Sequence, residues 1–273
     1  MPDMSTDNNT IPGGTEIEEV EPYGVEYERF ALQKLFSHLK TKYSIETVAE
    51  IPAIGAKAMP SLYSVGWALA GCEVTLINGE RDVLKSWEYM GLGDKLKFIE
   101  VEKIEQTELP GNQFDLVWNL NFLPAHPRQD ELLREMKRLS KRYMFFIHVN
   151  GYNVGFPFHR FAHRLHRIPW THGDVRFNKP RQLKKIVRGK GYEIIELGVV
   201  DCPYWPDSLG FRDIRLHKLG NQAQKISWKS RYIEWVKSNS YPPWLWRVYL
   251  LEKLPIPVWM KYPYAHLFYV IIK

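Results

Sequence analysis

The sequence predicts an α/β fold with a doubly wound, mostly parallel sheet whose last strand is antiparallel. Short apolar stretches typical of buried strands alternate with amphipathic stretches of helical length. Parallel strands require long crossovers, and helices on both faces of a sheet provide them. The chain has 273 residues, 45% of them hydrophobic, so it can also build one large core.

The first elements follow from periodicity and from turn residues. Apolar residues recur near helical spacing over residues 25–42, which predicts an amphipathic helix. The apolar stretch 44–53 is a strand with Glu50 near its end. A helix over 61–70 has Pro60 near its first turn and Gly71 behind it.

The same alternation continues to the end of the chain. Strands are predicted at 72–78, 96–101, 114–120 and 143–149, with helices at 81–90 and 129–141. Residues 179–201 indicate a helix, a glycine turn and a strand, and 265–273 indicate one more strand. The last two strands can pair at the edge of the sheet although a long insertion separates them.

Composition divides the chain into four parts. Residues 1–20 are polar, without a periodic apolar face, and are predicted to be a disordered acidic tail. Residues 21–217 form the α/β domain, and 218–264 form an aromatic and basic helical insertion. Residues 265–273 are the last strand of the sheet.

Charge, hydropathy and cysteine content argue against membrane-spanning, exported and disulfide-rich proteins. The net charge is +6, and the acidic N-terminus makes the remainder more basic still, which favours an anionic partner or a solvated basic surface. No apolar stretch reaches the roughly 18–20 residues of a membrane span, and no leader pattern is present. Cys72 and Cys202 are too few for a disulfide framework. A cytoplasmic protein, or one peripheral to a membrane, is expected.

Three loops follow the first three strands, at the edge where doubly wound sheets bind ligands: EIPAIGAKA, INGE and VEKIEQ. Their order, followed by QFDLVWNLNFL, resembles the class I S-adenosylmethionine-dependent methyltransferases over about residues 45–201 plus the last strand. The resemblance implies a Rossmann-like methyltransferase fold, S-adenosyl-L-methionine as cofactor and methyl transfer as the activity. The glycine-rich loop departs from the family pattern, because Gly55 is its only glycine.

The resemblance assigns cofactor contacts position by position. Glu50 matches the acid that opens the first motif, and Glu102 matches the acid on the adenine side. Asn78 stands where the family has a ribose-binding acid, so it can hydrogen-bond but lacks the charge. Lys57 can pair with the methionyl carboxylate. The remaining expected contacts are Gly55, Ala56, Glu80, Asn119 and Leu120.

Histidines are the candidates for a general base, which methyl transfer needs only if the acceptor loses a proton. His148 ends the fifth strand of the family pattern, and His126 lies just past the fourth. Each can equally be a structural histidine that hydrogen-bonds a loop carbonyl.

A histidine-rich stretch, PFHRFAHRLHRIPWTHG, places His159, His163 and His166 on one face of a helix. No carboxylate accompanies them, and arginines at 160, 164 and 167 share the same turns. We therefore expect no metal site and interpret the stretch as a basic lid or a surface helix.

The C-terminal insertion mixes tryptophan, tyrosine, lysine and arginine, as in SYPPWLWRVYLLEKLPIPVW. Such a mixture suits contact with a lipid surface or a greasy acceptor, and it equally suits a structural cap on the core. Nucleic acid is an unlikely partner because no RNA-binding module is visible. Nothing in the sequence predicts the oligomeric state.

The expected function is S-adenosylmethionine-dependent methyl transfer to a hydrophobic or aromatic small molecule, which includes lipid-like acceptors. The alternative is a binding or scaffold protein that keeps the fold without catalysis, as the depleted glycine loop would allow. A nicotinamide-dependent oxidoreductase is third, because no G-x-G-x-x-G follows the first strand.

Overall fold

The computed structural model describes residues 17–54, 59–205, 209–220 and 226–273. The strands are β1 Ile17–Val20, β2 Thr47–Glu50, β3 Glu73–Ile77, β4 Leu96–Ile99, β5 Phe114–Leu120, β6 Ser140–Val149, β7 Ile194–Val200, β8 Ile226–Lys229 and β9 Leu267–Ile272. The helices are α1 Tyr23–Tyr43, α2 Val65–Leu69, α3 Val83–Tyr89, α4 Gln129–Leu139, α5 Phe156–Leu165, α6 Pro180–Gly189, α7 Phe211–Leu219, α8 Arg231–Ser238, α9 Pro243–Tyr249 and α10 Val258–Lys261.

Seven strands form one sheet in the order β4-β3-β2-β5-β6-β9-β7. The strands from β4 to β6 are parallel, whereas β9 lies between β6 and β7 and is antiparallel to both. The predicted doubly wound sheet with an antiparallel last strand is therefore confirmed. The chain runs outward from β2 to β4 and then returns to β5, so the switch point lies between β2 and β5.

A second, two-stranded sheet pairs β1 with β8 in parallel, from Ile17 opposite Ile226 to Val20 opposite Lys229. The predicted tail ended at residue 20, so the ordered chain begins earlier than expected. The reason is long-range pairing, since β8 lies inside the C-terminal insertion. Residues 1–16 of the predicted tail are outside the described part of the chain.

The sheet separates two hydrophobic cores. On one face α1 and α2 pack on the strands, with Phe36 stacked on Trp67 at 4.4 Å and edge-on to Trp118 at 5.2 Å. On the other face Met136 and neighbouring residues of α4 pack against Val117. Gly66 allows the close approach of α2 to α1, because a Cβ there would lie 2.8 Å from the Gln33 Cα.

The predicted helix over 61–70 is shorter in the structure, where a 3₁₀ turn at Pro60–Leu62 precedes α2. The hydroxyls of two serines explain the interruption. Ser61 donates to the Ala53 carbonyl at 2.8 Å, and Ser64 donates to a Glu50 carboxylate oxygen at 2.7 Å. The Ser61 bond fastens this segment to the loop after β2, and the Ser64 bond fastens it to the end of β2.

Helix α1 is buried on nearly all sides of its first half, although its sequence predicts an amphipathic helix. The charged side chains of Glu26, Glu28 and Arg29 are buried there. The N-terminal segment and the C-terminal insertion cover them: Arg29 pairs with Glu21, and Glu26 pairs with Arg231. The charged residues of α1 thus form buried ion pairs with the N-terminal segment and the C-terminal insertion rather than facing solvent.

The C-terminal insertion caps α1 with aromatic rings. Trp244 lies edge-on to Tyr23 at 5.8 Å and contacts Trp235, which supports the interpretation as a structural cap. Other apolar side chains of this segment are exposed, among them Trp259 at 67% and Leu250 at 65%. Contact of this segment with a lipid surface stays a prediction. Among the described residues, no helix is both long and apolar enough to cross a bilayer.

Candidate active site

The loop after β2 meets α1 and α2 in a buried polar cluster at the switch point of the sheet. Glu50 is fully buried at the end of β2, with one carboxylate oxygen bonded to the Ser64 hydroxyl. Ser64 in turn accepts the indole N–H of Trp118 at 3.1 Å. Burial raises the pKa of Glu50 to about 8, and it outweighs the Ser64 hydrogen bond and the charge of Arg29.

Arg29 crosses from α1 into the same cluster. Its guanidinium pairs with Glu21 at 2.6 Å, donates to the Met59 carbonyl at 2.8 Å and lies 4.6 Å from the Tyr63 ring centroid. Burial lowers the pKa of Arg29, but the charges of Glu21, Tyr63 and Glu28 and the hydrogen bond to Glu21 together outweigh it and raise the pKa above its usual range. Arg29 is therefore a fixed positive charge beside the loop.

Three polar atoms of this cluster are buried without a hydrogen-bond partner in the described part of the chain: Glu50 Oε1, Arg29 Nη1 and the Tyr63 hydroxyl. Buried polar groups without partners are rare and call for a ligand or solvent. S-adenosylmethionine has an α-amino group that suits the carboxylate and an α-carboxylate that suits the guanidinium and the phenol. The described residues thus fit the methionyl end of the cofactor.

The ribose side of the predicted site is arranged differently from the expectation. Asn78 follows β3 with a positive φ of 52° and clamps the backbone of Val101, donating to its carbonyl at 2.9 Å and accepting its N–H at 2.7 Å. The Glu80 N–H donates to Ser61, and the side chains of Glu80 and Glu102 are exposed. Asn78 consequently fastens the ends of β3 and β4 to each other, and Gly55, Ala56 and Lys57 lie outside the described residues.

Asn119 and Leu120 end β5 beside the same loop. Asn119 is fully buried, and its amide donates to the Ile51 carbonyl at 3.3 Å. Its Oδ1 is another buried atom without a partner among the described residues. Leu120 is buried in the core on the α1 side of the sheet. The next residue, Asn121, lines a cavity described below.

The two histidines predicted as bases lie elsewhere. His148 is fully buried with its ring between those of Phe146, Phe177 and Phe268, at centroid distances of 5.8–6.3 Å. Burial lowers the pKa of His148 to about 3, so the ring is neutral. His126 contacts Glu105 at 2.8 Å. Neither ring lines the cavity at the ends of β5 and β6.

His148 makes the protein sensitive to acid. Its folded-state pKa of about 3 is lower than the usual 6.5, so stability is lost as pH falls below 6.5 and the unfolded chain takes up a proton. Neither ring nitrogen has a partner among the described residues. Replacing His148 by phenylalanine should therefore raise the free energy of unfolding by about 1–3 kcal/mol at pH 7. Urea denaturation at pH 7 and pH 5 measures this, and the gain should be larger at pH 5.

The matched control for this variant is His166→Phe, because His166 is exposed at the end of α5. It should leave the free energy of unfolding nearly unchanged at both pH values. A His148→Phe protein less stable than wild type would show that the ring nitrogens are satisfied in solution.

A cavity of 290 Å³ opens at the carboxyl ends of β5 and β6. Its wall combines apolar side chains with histidines and a few charged groups. The lining residues are Pro22, Gly24, Val25, Asn121, Val149, Phe156, His159, Trp170, His172, Asn178, Leu209, Gly210, Phe211, Arg212, Asp213, Leu216 and His266. Such a wall suits a small, partly apolar molecule with a polar group.

His266 is a cavity residue that the sequence interpretation missed. It precedes β9 and lies opposite the end of β7, where its Nδ1 contacts Asp201 at 2.8 Å and Glu28 at 3.3 Å. The antiparallel register that pairs Val200 with Leu267 brings Asp201 and His266 together. The only sequence signal was a histidine at the start of the last strand.

Comparison with known proteins agrees with this geometry. A family model described as a methyltransferase domain matches residues 59–147, from before α2 to within β6. No curated protein matches the chain at the level of sequence.

Solved structures resemble this chain at low sequence identity. The [4+2]-cyclase SpnF has a TM-score of 0.50 at 15% identity over 88% of this chain and 79% of its own. An S-adenosylmethionine-dependent methyltransferase from Aquifex aeolicus has a TM-score of 0.44 at 13% identity, over 66% of this chain and 88% of its own. Magnesium protoporphyrin IX methyltransferase from Synechocystis PCC 6803 has a TM-score of 0.47 at 15% identity, over 64% and 78%.

The domain match covers the part of the chain that contains β3 to β6, and the strand order around it has the switch point that the family requires. Residues 59–147 are therefore similar to a methyltransferase domain, and the buried polar cluster at the end of β2 suits the methionyl group of S-adenosylmethionine.

Proposed function

We propose that the chain is an S-adenosylmethionine-dependent methyltransferase that acts on a small aromatic or otherwise hydrophobic molecule with an ionisable polar group. The observation that carries the proposal is the cavity at the ends of β5 and β6, because it adjoins the strand ends where the family brings cofactor and acceptor together. Aromatic walls from Phe156 and Trp170 suit a ring, and Asn121 and Asn178 can orient a polar substituent.

The size of the cavity supports a small acceptor over a long lipid chain. Its 290 Å³ is near the lower end of the range for ligand pockets. A lipid-like acceptor would have to leave most of an acyl chain outside, along the exposed apolar residues Phe211 and Phe158. A compact aromatic acceptor fits without that requirement.

Each part of the chain has a separate task in this proposal. S-adenosylmethionine supplies the methyl group. Glu50, Arg29 and Tyr63 hold its methionyl end through the unpartnered atoms described above. Methyl transfer is an in-line displacement, so fixing the acceptor in the cavity supplies much of the catalysis.

His266 is the group we assign to proton removal, in place of His148 and His126. Asp201 accepts a hydrogen bond at His266 Nδ1, which places the ring proton there and gives Nε2 the character of a base. An acceptor hydroxyl that loses its proton becomes a better nucleophile toward a methyl group. The base is needed only for acceptors that methylate through such a group.

The test uses the full chain. Calorimetry with S-adenosylmethionine, S-adenosylhomocysteine and NAD should show binding of the first two compounds alone. Transfer of labelled methyl from S-adenosylmethionine to a panel of small phenols and aromatic acids should then identify the acceptor class. A His266→Gln protein should bind the cofactor as well as wild type does but transfer methyl more slowly.

Two outcomes contradict the proposal. Absence of binding to both sulfonium-derived compounds at millimolar concentration would favour the alternative of a non-catalytic binding or scaffold protein. Binding with transfer to long-chain lipids but to no small aromatic molecule would overturn the assignment of the acceptor.

A further inference from the structure

Four side chains converge on one point in the wall of the cavity: His159 and His163 from α5, His172 from the following loop, and Asp213 from α7. The Nε2 atoms of His159, His163 and His172 lie 3.2, 2.7 and 3.0 Å from the same atom, Asp213 Oδ2. The Nε2 atoms of His159 and His163 are themselves 3.2 Å apart. One carboxylate oxygen cannot accept three well-aligned N–H bonds from rings so close to one another.

Helical spacing explains why two of the four side chains, those of His159 and His163, lie together. His159 and His163 are four residues apart, so both lie on one face of α5. The arginines that argued against cation binding, Arg160 and Arg164, have exposed side chains. His166, which the sequence grouped with His159 and His163, is exposed and outside the cluster. The third histidine of the cluster is His172.

The hydrogen bonds of His163 fix its protonation pattern. Its Nδ1 contacts the carbonyl oxygens of Ile168 at 3.3 Å and Pro169 at 3.1 Å, which are acceptors only, so Nδ1 carries a proton. Its Nε2 lies 2.7 Å from an anionic oxygen, and that contact requires a positive charge there, either a second proton on the ring or a metal ion. Metal-bound histidines show this arrangement, with the outer ring nitrogen donating to a backbone carbonyl.

Neighbouring residues fix the positions of His159 and Asp213. Gly210 packs on the His159 ring so closely that a Cβ there would lie 1.9 Å from its Cδ2. The same residue precedes α7, and Asp213 is in the first turn of that helix, whose N-terminus favours a negative charge. Trp170 lies edge-on to all three imidazoles at 4.6–5.4 Å.

The donor set agrees with ligand chemistry. It offers three imidazole nitrogens and one carboxylate oxygen within 4.8 Å of one another. A neutral imidazole and an ionised carboxylate are the forms that bind metal.

We propose that His159, His163, His172 and Asp213 bind one divalent transition-metal ion of the zinc type. Zinc takes imidazole nitrogen and carboxylate oxygen in a tetrahedron, whose edges are about 3.3 Å for bonds of 2.0–2.1 Å. The contacts around Asp213 Oδ2, at 2.7–3.2 Å, are close to that spacing. Magnesium and calcium prefer oxygen ligands, so a set dominated by nitrogen disfavours them.

The position of the ion has a consequence for catalysis that rests on the proposed function. His159, His172 and Asp213 line the same cavity as His266. An acceptor oxygen that reached the ion would lose its proton more readily, because a bound metal lowers the pKa of an attached hydroxyl. The metal site itself does not depend on methyl transfer.

The experiment measures metal binding directly. The full chain is stripped with a chelator and titrated with Zn²⁺ by calorimetry, and with Co²⁺ while its visible absorption is followed. We expect one ion per chain and a cobalt spectrum typical of a tetrahedral or five-coordinate nitrogen and oxygen site. His163→Gln and the isosteric Asp213→Asn should each weaken binding more than the roughly 10–100-fold lost with an outer-shell partner.

Controls separate this result from unfolding and from the proposed function. His166→Gln removes an exposed histidine from the same helix and should bind zinc as wild type does. Circular dichroism and S-adenosylhomocysteine binding report on the fold of every variant. The metal site is overturned if folded wild-type protein takes up no zinc, or if both ligand variants keep full affinity. A chain that binds zinc but no S-adenosylhomocysteine refutes the proposed function and leaves the metal site standing.

Discussion

Replacing Arg29 by alanine is expected to lower the free energy of unfolding by about 3–5 kcal/mol. The Arg29–Glu21 pair is almost completely buried, with side-chain exposures of 1% and 0%. Removing the guanidinium leaves the carboxylate of Glu21 without its countercharge, and the Met59 N–H at 3.2 Å is a weak substitute. The N-terminal segment, α1 and the loop before α2 would lose their common anchor. Equilibrium denaturation in urea measures the change.

An exposed ion pair of the same length provides the control. Arg81 and Glu100 are also 2.6 Å apart, but their side chains are 67% and 54% exposed. Alanine at Arg81 should change stability little, because solvent screens the pair. A double variant, Glu21→Gln with Arg29→Met, should recover much of the loss of Arg29→Ala, since it leaves no buried charge unpaired. Equal effects of Arg29→Ala and Arg81→Ala would mean that water reaches the buried pair.

The succession of strands and helices in the main sheet was predictable because each of these elements has a recognisable local sequence pattern. Buried parallel strands such as β5 are continuous apolar stretches, and α4 has a clear amphipathic period. The pairing of β1 with β8 was not predictable in this way. Its sequence, IEEV, is polar, and its partner lies about two hundred residues away in the chain.

The buried charges of α1 show a second limit of local patterns. The sequence predicts an amphipathic helix over residues 25–42, and the charged residues of such a helix usually face solvent. Glu26, Glu28 and Arg29 are nevertheless buried. The structure places Arg231, His266 and Glu21 against them, and all three come from outside the helix. A pattern within one helix contains no information on what the rest of the chain places over it.

One part of the candidate site was predictable from local sequence patterns, and another part was not. Glu50 is where the family pattern places it, because that position is fixed by the end of a strand. The sequence places His159, His163 and His166 on one helix face and predicts no metal site, because arginines share the same turns and no carboxylate accompanies the histidines. Asp213 supplies one from fifty residues beyond His163. Ligand sets assembled from separate elements are not visible in sequence spacing.

Replacing Glu50 by glutamine is expected to stabilise the free protein and to weaken its cofactor binding. The folded-state pKa of Glu50, about 8, is above the usual 4.5, so the folded protein keeps the group protonated while the unfolded chain ionises. Wild type therefore loses stability as pH rises from 4.5 to 8. Glutamine removes that loss and should raise the free energy of unfolding by about 2–4 kcal/mol at pH 8, with little gain at pH 4.5. Urea denaturation across this pH range measures the difference.

Glu50→Gln should weaken cofactor binding although it raises stability, because an ionised Glu50 is the partner we assign to the α-amino group. A charged hydrogen bond contributes about 1.5–3 kcal/mol, so Glu50→Gln should weaken S-adenosylhomocysteine binding roughly 10–150-fold. Binding to wild type at pH 7 should also release a proton from Glu50, which calorimetry in buffers of different ionisation enthalpy detects. Stabilisation without loss of affinity or proton release would show that Glu50 is only a structural acid; both effects together would show that stability is given up here for cofactor binding.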